Sequence, residues 1–248
     1  GPFSEAVSGR LAEQQFKSDG FIDNLYLDRS DTASRDEVTA RARLRWQASE
    51  DFAIDYGLLF VDVDNGYDAF SLDNNRTTLS DEPGVDAQET LALSISSNWR
   101  ATENFDLVTT VAVENTDVVY GYDEDWTNTE ICDGIACDSD VWGFDWWYSS
   151  TDLYLRDRTS TQLDVRLVSS DQGDGNTIEW VAGFYYNDKQ EDLTREFFDW
   201  DVYAPVAYKS EYDTERLAAY GQLAIPVFER LTLTVGGRVE DFSGDFED

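Results

Sequence analysis

The sequence predicts an all-β fold, an antiparallel up-and-down transmembrane β-barrel segment, and three observations support this prediction. Apolar and polar residues alternate with a period of two over runs that are long for soluble strands. Short polar turns alternate with long connections along the 248 residues. The chain also contains 14 Phe, 13 Tyr and 8 Trp, which is more aromatic surface than an acidic disordered chain carries.

The alternation is clearest in two runs. From Val38 to Trp46 the even positions are apolar, while Arg41, Arg43 and Arg45 occupy odd positions. From Leu91 to Trp99 the odd positions are mainly apolar, and small polar residues lie between them. Strict alternation is typical of a strand with one apolar face. Membrane strands need about 9–11 residues, whereas soluble strands average about 5–6, so these runs favour a membrane barrel.

The same pattern, read along the whole chain, predicts about nine strands. They are expected at 5–18, 36–47, 52–64, 87–99, 105–119, 159–170, 178–189, 214–226 and 231–242. The third strand changes phase near Leu58 and Leu59, where we expect a bulge. Long connections are expected at about 19–35, 65–86, 120–158 and 190–213. Because short turns alternate with these connections, the pattern is typical of an outer-membrane barrel.

Composition excludes several function classes. With 52 acidic and 18 basic residues, the net charge is −34, which argues against a nucleic-acid partner. Because the chain has no His, the usual catalytic triads and most catalytic zinc sites are unavailable, so we expect neither an enzyme, a cofactor nor a metal centre. The Asp-rich segments 62–73 and 171–182 depart from a calcium-binding loop and are interpreted as turns. The chain also has no Met, and we therefore expect an interior or processed segment.

The longest connection carries most of the candidate binding residues. Trp and Tyr provide large, rigid contact surfaces with a polar group, so they predict a ligand-binding surface here, although some of the rings could instead form an outer aromatic girdle or pack within the loop. The candidates are Tyr120, Tyr122, Trp126, Trp142, Phe144, Trp146, Trp147, Tyr148, Tyr154 and Arg156. The same connection contains Cys132 and Cys137, for which we expect a small disulfide in an oxidising exterior.

The polar face of the strands predicts a second set of residues. If the apolar face contacts lipid, arginines on the other face point to the lumen, where they can pair with carboxylates or contact a ligand. These lumen candidates are Arg41, Arg43, Arg45, Arg166 and Arg238. A soluble β-sandwich that binds glycans through its Trp cluster is the alternative, and in that fold a second sheet would cover the apolar row of Leu91, Leu93 and Ile95.

Several short segments resemble the barrel of proteobacterial TonB-dependent receptors. They are the opening Gly1 to Arg10, the run Ser18 to Asn24, the hairpin Leu44 to Phe52, the run Ala219 to Leu223 and the closing Leu231 to Glu240. Their order and spacing cover essentially the whole chain.

The resemblance implies that residues 1–248 are part of one 22-stranded barrel domain in the bacterial outer membrane, whose plug domain is not present in this sequence. It also implies contact with outer-membrane lipid and lipopolysaccharide, and energy coupling to TonB through the missing plug. The expected function is active uptake of a scarce small-molecule ligand, a ferric siderophore in the first instance. A glycan or other nutrient receptor of the same family, and a passive or adhesive barrel, are alternatives.

Overall fold

The computed structural model describes residues 1–70, 75–132, 149–170, 178–199, 204–228 and 231–248. Nearly all regular structure in these ranges is antiparallel β-strand. Among the described residues no helix is long and apolar enough to cross a membrane.

Nine long strands and two short ones make up the fold. The long strands are β1 (Val7–Ser18), β3 (Arg35–Ser49), β4 (Phe52–Tyr67), β6 (Gly84–Arg100), β7 (Phe105–Asp123), β8 (Thr151–Ser169), β9 (Glu179–Asp199), β10 (Ala204–Phe228) and β11 (Leu231–Glu247). The short strands β2 (Asp23–Asn24) and β5 (Thr77–Thr78) pair with each other in parallel, and a single 3₁₀ turn covers Thr129–Cys132.

The nine long strands form one sheet in the order of the chain. Each strand pairs with the next long strand in an antiparallel ladder, from β1 to β11. β1 and β11 are the edges of this sheet, which is not closed in the part of the chain that the structure describes. The predicted up-and-down topology is therefore confirmed.

One face of the sheet is an apolar surface that no second layer covers among the described residues, although Phe3 folds back onto it at Gly9. Leu91, Leu93 and Ile95 keep 48%, 48% and 50% of their surface exposed, so no second sheet covers this row and the sandwich alternative is wrong. One register row of this face, followed from β3 to β10, consists of Leu44, Tyr56, Ile95, Val111, Leu163, Tyr186 and Leu217. Trp46 and Trp99 end the face at the short turns, where an interfacial girdle is expected.

Carboxylates end the apolar face on the side of the long connections. On every long strand, the outward-facing positions change from apolar or neutral residues to an acidic one. We call these residues the acidic boundary: Glu13, Asp36, Asp62, Glu89, Asp117, Asp157, Asp188, Glu215 and Asp241.

The position of the acidic boundary also indicates how far the strands are tilted. From Glu13 to Asp36 the boundary shifts by four residues in one direction, whereas from Asp36 to Asp241 it shifts by eight residues in the opposite direction over seven strand pairs, in uneven steps that average about one residue per strand. With about 3.3 Å per residue and about 4.8 Å between strands, this shift corresponds to a tilt of about 40° if the boundary follows the membrane surface. Such a tilt is typical of strands in membrane barrels.

Two sequence-based predictions about the strands are wrong. No register shift occurs near Leu58 and Leu59. The change of phase in the sequence arises because Leu59, Val61 and Val63 are apolar residues on the inner face. The connections predicted at 120–158 and 190–213 are much shorter, since β8 begins at Thr151, β9 continues to Asp199 and β10 begins at Ala204. These strands continue beyond the acidic boundary, where the outward face no longer contacts lipid and therefore loses its apolar residues.

Lipid contact at the apolar face can be tested by placing a charge at its centre. We expect Ile95→Arg to destabilise the folded full-length protein by about 2–4 kcal/mol, whereas Glu89→Arg, on the same face of β6 but at the acidic boundary, changes stability by only about 0–1 kcal/mol. Denaturant titration in phospholipid vesicles measures both. Equal losses for the two variants would contradict a lipid-facing surface.

Candidate functional site

The candidate site lies on the inner face of the sheet, beyond the acidic boundary, where β7, β8 and β9 run side by side. The ladders place Tyr120 opposite Tyr154, and Tyr154 opposite Arg195. The next inner-face pair on β7 and β8 joins Tyr122 and Asp152. Because the pairing of three strands sets these positions, the polar and aromatic groups are held by rigid backbone and not by a loop.

Asp152 is the centre of the site. It is only 2% exposed, and its carboxylate accepts hydrogen bonds from Arg195 Nε at 2.9 Å and Arg195 Nη2 at 2.7 Å. The hydroxyls of Tyr122 and Tyr154 donate to Asp152 Oδ2 at 3.0 and 3.1 Å. A bidentate guanidinium contact together with two phenol donors satisfies a carboxylate that burial would otherwise destabilise.

Electrostatics in this group favour a charged Asp152 and Arg195 beside neutral tyrosines. Burial raises the pKa of Asp152, but the hydrogen bonds from Arg195 and Tyr122 outweigh it, so the pKa falls below its usual value of 3.8. The hydrogen bond to Asp152 raises the pKa of Arg195 further above its already high value. Burial, with the hydrogen bond to Asp152, raises the pKa of Tyr122 to about 12, so its hydroxyl remains a donor at neutral pH.

Aromatic rings extend the site toward the connection between β4 and β5. Tyr120 lies 6.2 Å from Tyr154 and 5.2 Å from Tyr67, measured between ring centroids. Phe70 continues the series, because its ring is 5.6 Å from Tyr122 and stacks on Trp126 at 5.0 Å with an interplanar angle of 9°. These rings and the two residues of the bidentate pair form what we call the outer-mouth cluster: Tyr67, Phe70, Tyr120, Tyr122, Trp126, Asp152, Tyr154 and Arg195.

Trp126 is held by a tight turn directly after β7. The Asp123 carboxylate accepts hydrogen bonds through Oδ1 from the backbone N–H of Asp125 at 3.0 Å and of Trp126 at 2.9 Å. Trp126 itself has φ of 61°, in the left-handed region that L residues adopt infrequently. The side chain remains 40% exposed, so one part of the ring rests on Phe70 and the other part faces solvent.

Cationic groups surround Tyr154. The guanidinium carbons of Arg156 and Arg195 both lie 5.2 Å from its ring centroid. Arg195 is also 4.3 Å from the ring of Phe197. Glu191 balances part of this charge, since its carboxylate lies 2.6 Å from Arg158 Nε and 3.7 Å from Arg156 Nε. The surface therefore combines exposed aromatic faces with guanidinium groups whose charge Asp152 and Glu191 already balance, which suits an aromatic or conjugated ligand.

The structure brings together five of the sequence-predicted binding residues. Tyr120, Tyr122, Trp126 and Tyr154 belong to the outer-mouth cluster, and Arg156 lies beside it. The other candidates lie outside the described residues: Trp142, Phe144, Trp146, Trp147 and Tyr148. Cys137 also lies outside them, and Cys132 ends the 3₁₀ turn, so their pairing stays a prediction.

The predicted lumen arginines lie in two separate groups on the inner face. Arg41, Arg43 and Arg45 line β3, where Arg43 faces Arg10 across the ladder to β1. Arg45 contacts Asp55 at 3.6 Å, measured from Nη1 to Oδ2.

The second group consists of Arg166 on β8 and Arg238 on β11, and Tyr220 on β10 lies between them. Arg166 Nε is 3.8 Å from Asp164 Oδ1, and the hydroxyl of Tyr220 donates to Asp164 Oδ2 at 2.9 Å. Arg238 lies over the Tyr220 ring at 5.9 Å. A Cβ on Gly183 would collide with that ring, so glycine is needed for this close approach.

Sequence reasoning missed Asp152, Arg195, Tyr67 and Phe70. Arg195 was assigned to a loop, because the outward positions beside it are polar and hide the strand. The available signal was the inner-face alternation of Leu193, Arg195 and Phe197, which continues the period of two beyond the apolar band. Among the described residues, no three carboxylate, imidazole or thiol side chains form a ready-made metal centre.

A tilted antiparallel sheet with an apolar outer face, an acidic boundary and a polar inner face defines an outer-membrane barrel. The chain belongs to the TonB dependent receptor-like β-barrel family, whose barrel matches residues 24–248. Members of this family are receptors and transporters of the outer membrane of Gram-negative bacteria. The resemblance noted in the sequence is thereby confirmed.

Solved receptors have the same fold at low sequence identity. The ferric yersiniabactin uptake receptor of Yersinia pestis has a TM-score of 0.72 and 13% identity, over 99% of this chain and 40% of that protein. The ferripyoverdine receptor of Pseudomonas aeruginosa has a TM-score of 0.65 and 18% identity, over 100% and 35% of the two chains. The ferric preacinetobactin receptor of Acinetobacter baumannii has a TM-score of 0.66 and 12% identity, over 99% and 38%. This chain thus spans about two fifths or less of each of these three receptors.

The bidentate pair predicts a pH dependence of the outer-mouth cluster. Because the folded pKa of Asp152 is lowered, its contribution to stability is present above pH 3.8 and is lost as the pH falls through the folded value. We expect hydrogen–deuterium exchange at the outer ends of β8 and β9, corrected for intrinsic rates, to stay slow at pH 5 and to rise below about pH 3.8.

Asp152→Asn is expected to raise this exchange at neutral pH, because it weakens hydrogen bonds that are worth about 1.5–3 kcal/mol when one partner is charged. Asp51→Asn provides the matched control, since the exposed Asp51 and Arg100 pair at the opposite end of the sheet contributes little. Unchanged protection at the β8 and β9 ends in Asp152→Asn would contradict the central role of Asp152.

Proposed function

We propose that this chain is the ligand-capturing part of a TonB-dependent receptor that actively imports a ferric siderophore across the outer membrane. The observation that carries the proposal is the outer-mouth cluster on the inner face, where a ligand entering from outside would first contact the barrel wall. Transport of this kind needs no covalent step from these residues. They bind and orient the ligand, and energy relayed by TonB to a plug would open the path.

The chemistry of the cluster supports a ferric siderophore over a simple neutral solute. Many ferric siderophore complexes present flat aromatic or conjugated groups. Trp126 and Phe70 offer a stacked aromatic surface, while Arg156 and Arg195 offer guanidinium groups beside Tyr154. Stacking and cation–π contacts recognise such groups without a single fixed hydrogen-bond pattern.

The named ligands of the three solved receptors described above point in the same direction. They are an uptake receptor for ferric yersiniabactin, a receptor bound to ferripyoverdine and a receptor for ferric preacinetobactin. A copper transporter also has the same fold, with a TM-score of 0.62 and 13% identity, so the fold alone does not fix the cargo. We therefore infer the class of ligand from the outer-mouth cluster. We infer the mode of transport from membership of the family.

Ligand binding and uptake by the full-length receptor test this proposal. Iron-loaded hydroxamate, catecholate and carboxylate siderophores are offered to cells that express the receptor, with and without TonB. We expect one class to bind to both strains and to enter only the strain with TonB. Trp126→Ala should weaken that binding about tenfold or more, because exposed aromatic anchors are frequent energetic hot spots.

Trp99→Ala is the matched control, since Trp99 is similarly exposed, at 48%, but lies on the lipid face next to a short turn. Its effect on binding should be small at equal receptor level. Uptake that persists without TonB would contradict active transport. Equal effects of the two Trp variants would contradict ligand capture at the outer-mouth cluster, and uptake of an oligosaccharide but of no ferric complex would favour the glycan alternative.

A further inference from the structure

The segment 76–81, which contains β5, is hydrogen-bonded to two other outer connections, and we call it the central strip. On one side the strip pairs in parallel with β2. The N–H of Asp23 donates to the Arg76 carbonyl at 3.0 Å. The N–H of Leu25 donates to the Thr78 carbonyl at 2.9 Å. The strip is therefore bound to the connection between β1 and β3.

Further hydrogen bonds join the central strip to the two residues that follow Trp126. The N–H of Asp81 donates to the Thr127 carbonyl at 3.0 Å. Asn128 Nδ2 donates to the Leu79 carbonyl at 2.7 Å. Both residues after Trp126 are buried. The strip thus fixes where the turn after β7 lies, in addition to the hydrogen bonds within that turn.

Phe70, the ring on which Trp126 stacks, is tied to the same strip through Asp68. Asp68 lies two residues before Phe70 and is only 4% exposed. Its Oδ2 accepts hydrogen bonds from Thr78 Oγ1 at 2.8 Å and from Asn24 Nδ2 at 2.9 Å. Because two residues span about 7 Å at most, holding Asp68 also restricts where the Phe70 ring can lie.

Asn24 joins the two parts of this arrangement. Its side chain is 1% exposed, and Nδ2 donates to the Ser80 carbonyl at 2.8 Å as well as to Asp68 Oδ2. Its Oδ1 accepts the N–H of Leu27 at 2.9 Å, so the amide uses both donors and an acceptor position. An amide suits this place, because a carboxylate would set an oxygen against two other oxygen acceptors.

We propose that Asn24 is a positioning residue for the stack of Phe70 and Trp126 and acts through Asp68 and the central strip. One hydrogen bond of its amide holds the segment that leads to Phe70, and the other holds the strip that binds the turn of Trp126. The effect on the stack follows from these hydrogen bonds alone. The effect on ligand capture rests on the proposed function.

The simpler alternative is that Asn24 only stabilises the outer connections, with no specific effect on the stack. Asn65 on β4 separates the two roles, because it has the same arrangement in another place. Its Oδ1 accepts the N–H of Asp36 at 3.0 Å, and its Nδ2 donates to Glu37 Oε1 at 3.1 Å. It is 8% exposed, and these two bonds tie β4 to β3 and not to the central strip.

Fluorine NMR of the full-length receptor, labelled with 5-fluorotryptophan and reconstituted in lipid nanodiscs, tests the proposal. The Trp126 resonance is identified by its loss in Trp126→Phe, and Phe70→Ala gives its position without the stacked ring. We expect Asn24→Asp to move the resonance toward the Phe70→Ala position. This variant keeps the oxygen that accepts the Leu27 N–H and removes both donor bonds.

Thr78→Val should move the Trp126 resonance in the same direction, because it keeps the side-chain shape and removes only the hydroxyl that donates to Asp68. Asn65→Asp is the matched control, since it sets the same repulsion against Glu37 and should leave the resonance unchanged. The proposal is overturned if the resonance keeps its wild-type position in Asn24→Asp, or in Thr78→Val should the first variant fail to fold. It is also overturned if Asn65→Asp moves the resonance as far.

Ligand binding gives a second readout, with the ferric hydroxamate, catecholate or carboxylate complex that binds in the uptake experiment as the probe. Asn24→Asp should weaken binding by up to about tenfold in the wild type but not in a Trp126→Ala background, because it acts only through the stack. Equal losses in both backgrounds would contradict positioning. If none of these complexes binds, the proposed function fails, while the fluorine resonance still decides whether Asn24 positions the stack.

Discussion

The fold depends on one constraint: the outward face of the sheet has lipid as its solvent. Lipid offers no hydrogen bonds, so every backbone N–H and C=O in the spanning region must pair within the protein, and an antiparallel ladder from each strand to the next meets this requirement. The same constraint explains why Ile22, Ala53 and Ala218 are the only buried apolar side chains in the described residues. The apolar surface is not collected in a core but is spread over one face.

The acidic boundary shows where that solvent ends. Neighbouring carboxylates lie directly opposite each other at Asp62 and Glu89, and again at Glu89 and Asp117. Like charges placed in this way destabilise a sheet, and in lipid they would be prohibitive. They are tolerated only where water and counter-ions screen them. The boundary therefore separates a lower part of each strand, which contacts lipid, from an upper part, which on β4, β7, β8 and β9 carries residues of the outer-mouth cluster.

The sequence was informative below this boundary and much less so above it. Runs such as Val38 to Trp46 alternate because only the outward face of the strand contacts lipid and must be apolar. Both the strand and the direction of its faces could therefore be predicted. Above the boundary the constraint disappears, and β9 continues with polar residues on its outward face and a mixture of Leu193, Arg195 and Phe197 on its inner face. Asp152 and Arg195 are 43 residues apart and meet only through the ladder between β8 and β9. Neither the pair nor the burial of Asp123 could be read from local patterns, since both depend on packing between distant segments.

Above the boundary, the cluster combines residues that strand pairing holds with one residue that a turn holds. Tyr122, Asp152 and Arg195 stand on strands whose backbone pairing continues down into the membrane, so their geometry is fixed before any ligand arrives, which lowers the entropy lost on binding. Trp126 lies three residues beyond the end of β7, and its backbone N–H donates to the carboxylate of Asp123, the last residue of that strand. Recognition would then combine a polar wall fixed by strand pairing with an aromatic side chain that a single turn holds against Phe70.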